Sequence, residues 1–261
     1  VSELTLGAGS FFSVYVSKNG EEKILVEKEK NKKLPIASIT KLMTALVAME
    51  QYKVDDIITI SKDSLLVKGI SGIYHVGDSF LFSDALRTML IASHNELASA
   101  IAEKTGTVTF VDLMNKMTSD INLSNTKFIN PIGTDPDTEQ GEINHSTSFD
   151  LYKLARYIKE NNQDILAITT MKEFRLLNSG GKFVADVKTT DKLLDQKDLP
   201  FNIIGGKTGE TPRAKKNLVV VVDSPCGGNI YGVVLGSDDN FDDMKKLLQY
   251  VNNSFVWSCE I

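Results

Sequence analysis

Three short strings carry residue types that could do chemistry together: Ser38-Ile39-Thr40-Lys41, Ser93-His94-Asn95 and Lys207-Thr208-Gly209. They supply a serine hydroxyl, a nearby amine, a polar bridge and a second cation. That set suits acyl transfer through a serine, in which a base takes the hydroxyl proton as the oxygen attacks a carbonyl. Each string has look-alikes in this chain, so context decides. Ser124-Asn125-Thr126-Lys127 and Ser179-Gly180-Gly181-Lys182 repeat the serine–lysine spacing, and Ser17-Lys18-Asn19 repeats serine-x-asparagine. These three lie in polar or turn-like stretches. A second Lys104-Thr105-Gly106 closes a helical pattern (Leu97, Ala98, Ile101, Ala102), where Gly106 suits a helix C-terminus.

Ser38 has a different setting. Ile39 to Met49 is apolar on nearly every side, the mark of a buried helix. Pro35 and Ser38 mark its start. Ser38 and Lys41, three apart, share one face of the first turn, and the helix N-terminus adds partial positive charge there. Burial disfavours an ammonium and lowers its pKa. Moving Lys41 from about 10.4 to about 7 needs about 4.6 kcal/mol of differential interaction. A neutral Lys41 could then deprotonate Ser38 without a histidine. On this segment alone, a lysine snorkelling out of an ordinary core helix stays open.

The elements that must position these strings follow from periodicity. Phe11 to Ser17 and Lys23 to Glu27 predict a hairpin about Lys18-Asn19-Gly20. Residues 55–82 read as short strands and loops. Ser83 reads as the cap of a helix ending before Ser93, and another helix runs from about Asn95 to Lys104. Thr107 reads as the cap of a third, faced by Val111, Met114, Met117 and Ile121. Residues 128–145 predict a long surface loop, followed by an amphipathic helix from about Ser146 to Glu160. Leu218 to Asp223 and Ile230 to Ser237 are strand-like, with Lys207-Thr208-Gly209 preceding them. A last helix starts near Asp242.

Strands at both ends of the chain enclose a helical middle. The expected fold is therefore α/β (α+β): one antiparallel sheet built from both termini, flanked by helices, with an inserted helical lobe. The expected division is a single catalytic domain, 1–261, with a sheet lobe of about 1–60 and 165–261 and a helical lobe of about 61–164. The three strings can meet where the lobes join, a usual place for a cleft.

Bulk properties narrow the function. The chain has 261 residues, 42% of them hydrophobic, and a net charge of -5, with no basic–aromatic cluster of the kind nucleic acid needs. No apolar run approaches the roughly 20 residues that span a membrane. His75, His94 and His145 are scattered, so neither a metal nor another cofactor is expected. Cys226 and Cys259 are the two cysteines, and both a disulfide and two thiols are compatible with their positions. The start at Val1, without a signal-peptide pattern, is compatible with a processed or trimmed protein.

The whole set resembles the low-molecular-mass penicillin-binding proteins, specifically the serine-type D-alanyl-D-alanine carboxypeptidases. Beyond the three strings, the resemblance rests on Pro35-Ile36-Ala37, Phe110 to Asn115, Asn130-Pro131, His145-Ser146-Thr147, Gly206 to Gly209 and Val233 to Gly236, in this order. It implies that Ser38 is the acylated nucleophile, Lys41 its general base and Ser93 a proton relay to the leaving amine. Asn95 would hold the substrate peptide, and Lys207 and Thr208 its terminal carboxylate. Backbone N–H groups of Ser38 and Glu210, which follows Gly209, would form the oxyanion hole. The implied partners are peptidoglycan stem peptides and β-lactams. The implied location is outside the cytoplasm, with any membrane anchor in a segment absent from this chain.

His94 is larger than the small residue often found in that motif, and either narrows the cleft or points outward. Glu210 places a carboxylate where aromatic or neutral residues are commoner. The end soon after Trp257 leaves no room for the β-rich C-terminal domain of many relatives. Three rivals share the motifs. A D,D-endopeptidase would use the same residues. A class A-like β-lactamase needs a water-positioning glutamate in a Glu-x-x-Leu-Asn string, which Glu139 to Asn144 does not match. A silent wall-binding or β-lactam-sensing module should have lost Ser38 or Lys41.

Overall fold

The computed structural model describes residues 4–257. The first hairpin forms as expected, with β1 (Ser10–Val16) and β2 (Glu22–Lys28) antiparallel and Gly20 in the turn at a positive φ. A two-residue β3 (Leu34–Pro35) leads into a 3-10 turn at Ala37–Ile39 and the buried helix α1 (Thr40–Gln51). Ser38 lies inside that 3-10 turn. It does not cap α1, whose N-cap position is Ile39, and its hydroxyl lies 2.8 Å from Lys41 Nζ.

The helical middle follows. β4 (Ile57–Thr59) and β5 (Ser79–Leu81) pair, then come α2 (Phe82–Ile91), α3 (Asn95–Glu103) and α4 (Thr107–Asp120). Ser83 and Thr107 fall within the first turns of α2 and α4 rather than capping them; the N-cap positions are Leu81 and Gly106. The 128–145 segment departs further from expectation. Its middle is exposed, but Phe128, Pro131 to Gly133 and Asn144 are buried. Asn144 turns the segment inward: its amide oxygen accepts from the N–H groups of Ile129 and Asn130, and its NH2 donates to Thr40 Oγ1.

β6 (His145–Ser146) pairs with β3, and α5 (Ser148–Asn161) is capped by Thr147, whose Oγ1 accepts from the Asp150 N–H. After α6 (Gln163–Thr169) comes a hairpin without a predicted counterpart, β7 (Glu173–Leu177) and β8 (Phe183–Lys188). The look-alike Ser179-Gly180-Gly181-Lys182 forms its turn. The chain ends with β9 (Ile203–Thr211), β10 (Lys215–Asp223), β11 (Asn229–Ser237) and α7 (Asn240–Ser254). Cys259, and with it the Cys226–Cys259 question, lies outside the described residues.

The main sheet is antiparallel in the order β2-β1-β11-β10-β9, so both chain ends do build it. Successive side chains on a strand point to opposite faces, and both faces of β10 and β11 are covered. Val219, Val221, Tyr231, Val233 and Leu235 join Phe12 and Val14 in the core beneath α5 and the helical middle. Leu218, Val220, Val222, Ile230 and Val234 pack instead with Met244, Leu247, Leu248 and Val251 of α7. This two-sided burial explains why these strands read as continuous apolar runs. Lys207-Thr208-Gly209 lies within β9, not ahead of the strands, and β9 ends the sheet.

Candidate active site

Ser38, Ser93, Asn95, Thr208, Gly209 and Glu210 line a cleft of about 670 Å³. Lys41 sits beneath Ser38 with no exposed surface. Its Nζ lies 2.8 Å from Ser38 Oγ, 2.7 Å from Asn95 Oδ1 and 2.9 Å from the Ile132 carbonyl oxygen. The last two groups can only accept. Asn95 is fixed in that orientation because its NH2 donates to the carbonyls of Lys68 (2.7 Å) and Gly69 (3.2 Å). A neutral Lys41 would spend its two protons on Asn95 and Ile132, leaving its lone pair toward the Ser38 hydroxyl. Burial pushes its pKa well below the usual value, Lys207 pushes it further down, and Glu96 pulls it back up.

Ile132 reaches this point because Gly133 follows it. Gly133 has φ +92°, and a Cβ there would stand 2.0 Å from the Ala37 carbonyl oxygen. The same crowding recurs across the cleft, where a Cβ on Gly209 would lie 2.7 Å from Ile36 O and 3.0 Å from Ser38 N. Glycine thus lets β9 run alongside the 3-10 turn that carries Ser38. Two flanking residues, Ala37 and Ser93, adopt positive φ without being glycine, a local cost on the order of 1–3 kcal/mol each.

Lys207 occupies the opposite wall and is also buried, 2% exposed. Its Nζ donates to Ser93 Oγ (2.9 Å) and to the Thr208 carbonyl (3.0 Å), which leaves one proton for a ligand. Burial pushes its pKa down to about 7, against a raising influence of Asp191. The Gly206 N–H donates away from the sheet, to Thr169 Oγ1. Alternation along β9 then turns the N–H groups of Thr208 and Glu210 to the same free edge.

All eight residues singled out in the sequence therefore border this cleft or stand just beneath it. His94 neither narrows the cleft nor points outward. Its Nδ1 is 2.7 Å from Tyr74 Oη, the two rings meet edge to face, and burial lowers its pKa. Glu210 is exposed at the cleft mouth. Four contributors lie outside the residues expected from the sequence: the Ile132 carbonyl, Thr190 (Oγ1 2.6 Å from Thr208 Oγ1), Asp191 and Glu96. Buried Glu96 accepts from both the N–H and hydroxyl of Ser71 and so ties down the loop that orients Asn95. An acidic residue directly after a serine-x-asparagine string is the kind of cue that could have flagged Glu96.

This geometry has counterparts. The chain is 30% identical over 200 residues to the D-alanyl-D-alanine carboxypeptidase DacF of Bacillus subtilis, covering 74% of this chain and 49% of that protein. It is 30% identical over 204 residues to a D-alanyl-D-alanine endopeptidase of Haemophilus influenzae, covering 77% and 66%. It thus spans about half to two thirds of these relatives' lengths. The crystal structure of penicillin-binding protein D2 from Listeria monocytogenes in its ampicillin-bound form superposes with a TM-score of 0.80. That match has 25% identity and covers 95% of this chain and 98% of that one. Residues 4–239 match the D-alanyl-D-alanine carboxypeptidase family, and the chain belongs to it.

Proposed function

We propose that the protein is a serine-type D,D-carboxypeptidase that removes the terminal D-alanine of peptidoglycan stem peptides through an ester on Ser38. The observation that carries this reading is the setting of Lys41: its Nζ lies within hydrogen-bond distance of two fixed acceptors and of Ser38 Oγ, so the neutral amine would give its two protons to the acceptors and turn its lone pair to Ser38 Oγ. Ser38 Oγ attacks the penultimate D-alanine carbonyl as Lys41 takes its proton. The N–H groups of Ser38 and Glu210 receive the oxyanion, where losing one donor typically costs on the order of 10²–10³ in rate. Collapse breaks the C–N bond, and the leaving amine takes a proton through Ser93. Asn95 holds the peptide, while Lys207 and Thr208 bind the terminal carboxylate. Water then cleaves the ester. β-Lactams, which carry a comparable carboxylate, acylate the same serine; the ampicillin-bound relative supports this.

The reading includes a location outside the cytoplasm and a site between a sheet lobe and a helical lobe. Among the described residues no helix is long and apolar enough to cross a membrane. A D,D-endopeptidase acting on cross-links is the second reading, favoured by the Haemophilus relative. Against a β-lactamase, Glu142 is paired with Lys127 at the surface and Glu139 is exposed.

The test follows D-alanine release from a synthetic peptide ending in D-alanyl-D-alanine, cleavage of a cross-linked muropeptide dimer, and intact mass with benzylpenicillin, each beside Ser38→Ala. The account expects Ser38-dependent D-alanine release and a penicillin adduct lasting minutes or longer. Cleavage of the dimer alone selects the endopeptidase. An adduct lost as the drug is hydrolysed selects a β-lactamase, and no turnover of any substrate selects a silent module.

A further inference from the structure

One segment touches both walls of the cleft, and none of the three motifs contains it. Thr190 follows β8 and makes two contacts in different directions. Its N–H donates to the carbonyl of Ile91, the last residue of α2 and two positions before Ser93. Its Oγ1 lies 2.6 Å from Thr208 Oγ1 on β9. The next residue, Asp191, is only 4% exposed. Its Oδ1 accepts from the Leu193 N–H, which caps a 3-10 turn at Lys192–Asp195, and its N–H donates to Thr189 Oγ1. Leu193 is itself packed in the core beneath α7. Asp191 Oδ2 has no hydrogen-bond partner among the described residues and lies beside the backbone of Gly206, next to Lys207.

We propose that Thr190 and Asp191 form a positioning pair for carboxylate recognition, Thr190 clamping Thr208 to the Ser93 loop and Asp191 supplying the buried negative charge that Lys207 faces. The proposal deepens the functional reading above and rests on it. A buried carboxylate with an unpaired oxygen is costly unless a charge offsets it. Lys207 is the cation acting on Asp191, and Asp191 is the carboxylate acting on Lys207. Burial pushes the Asp191 carboxyl up, while the Leu193 N–H and Lys207 pull it back. The other charge facing Lys207 is Lys41 from α1, whose own field is opposed by Glu96 from α3. His94 is turned away onto Tyr74. Without Asp191, the two buried lysines would face each other with no carboxylate on the Lys207 side.

The duller role for Asp191 is that of a cap on the 3-10 turn, and Asp191→Asn separates the two. Asparagine caps as well as aspartate but carries no charge. The measurement is the second-order rate of Ser38 acylation by benzylpenicillin and by its methyl ester, which lacks the carboxylate, from pH 5 to 10. In Asp191→Asn the preference for the free acid should fall about tenfold, and the alkaline limb of the rate, where Lys207 loses its proton, should move down by about one pH unit, a tenfold change in the ammonium population. Thr190→Val keeps the volume, loses the clamp, and should lower the preference without moving that limb. It also decides the matter if the asparagine variant fails to fold. An unchanged preference in both variants, or equal losses on both substrates, overturns the proposal. Wild-type protein that neither drug acylates overturns the functional reading, and this proposal with it.

Discussion

Two buried lysines face one cleft, and the leading charge influence on each acts in the opposite direction. Around Lys41 the hydrogen-bond partners are neutral, a hydroxyl, a side-chain amide and a backbone carbonyl, and the lowering influence of Lys207 outranks the raising one of Glu96. Around Lys207 the partners are also a hydroxyl and a carbonyl, but a buried carboxylate, Asp191, stands on its side. Burial disfavours the ammonium in both. In the proposed reaction the neutral cage and Lys207 favour Lys41 giving up its proton as a base, whereas the carboxylate helps Lys207 keep its proton for an anion. On this proposal the same side chain serves opposite ends of one reaction, and environment assigns the role.

The largest way to break this comparison is to delete the base. Lys41→Ala should reduce Ser38 acylation by at least about 10³-fold, within the range of general-base contributions, with the fold intact by circular dichroism. Acylation near the wild-type rate would remove lysine as the base. Next comes the opposite wall. Lys207→Ala should cost about 10–100-fold on benzylpenicillin, the worth of a hydrogen bond to a charged group, and much less on its methyl ester. A loss independent of the carboxylate would assign Lys207 to the chemistry instead.

A third variant tests the frame around Lys41. Gly133→Ala combines a disfavoured φ with a Cβ 2.0 Å from Ala37 O, so Ile132 must move. Thermal denaturation should show a loss of at least about 1–3 kcal/mol, and acylation should fall with it. Wild-type stability would mean the Ile132 carbonyl is not held as described. A finer effect sharpens the contrast in charge. Glu96 raises the pKa of Lys41, so Glu96→Gln should move the ascending limb of the acylation profile to lower pH. Movement to higher pH would contradict the sign. The smallest effect belongs to Glu210, of which only the N–H is required. Glu210→Gln should change the benzylpenicillin rate by under about threefold; a tenfold change would give the carboxylate a direct role.

Much of this is legible in the sequence, for identifiable reasons. The burial of Ile39 to Met49 follows from an unbroken apolar string, and the sheet from strand-like runs near both ends of the chain. Ser38 and Lys41 meet because helical spacing places residues three apart on one face. What stayed hidden is supplied across long separations by groups without side-chain signatures. The Ile132 carbonyl stands 91 positions from Lys41, and Thr190 reaches Ile91 through a backbone N–H. Loop composition misled for 128–145, because Asn144 satisfies the segment's backbone and allows it inward. In the β7–β8 hairpin Glu173, Arg175, Asp186 and Lys188 occupy exposed positions of short alternating runs, a weaker signal than the continuous apolar runs of β10 and β11. The pH dependence also depends on the fold. Lys41 alone predicts a rate that rises with pH; the lowered pKa of Lys207, about 7, adds a fall at the alkaline side.

The most direct test of the opposed lysines is the pH dependence of adduct formation at Ser38, followed by intact mass with benzylpenicillin and with Ser38→Ala as control. The account predicts a bell: an ascending limb as Lys41 loses its proton and a descending limb as Lys207 loses its own. In Lys207→Arg, whose guanidinium stays charged, the descending limb should disappear. A flat profile from pH 5 to 10, or a descending limb that survives in Lys207→Arg, would contradict it.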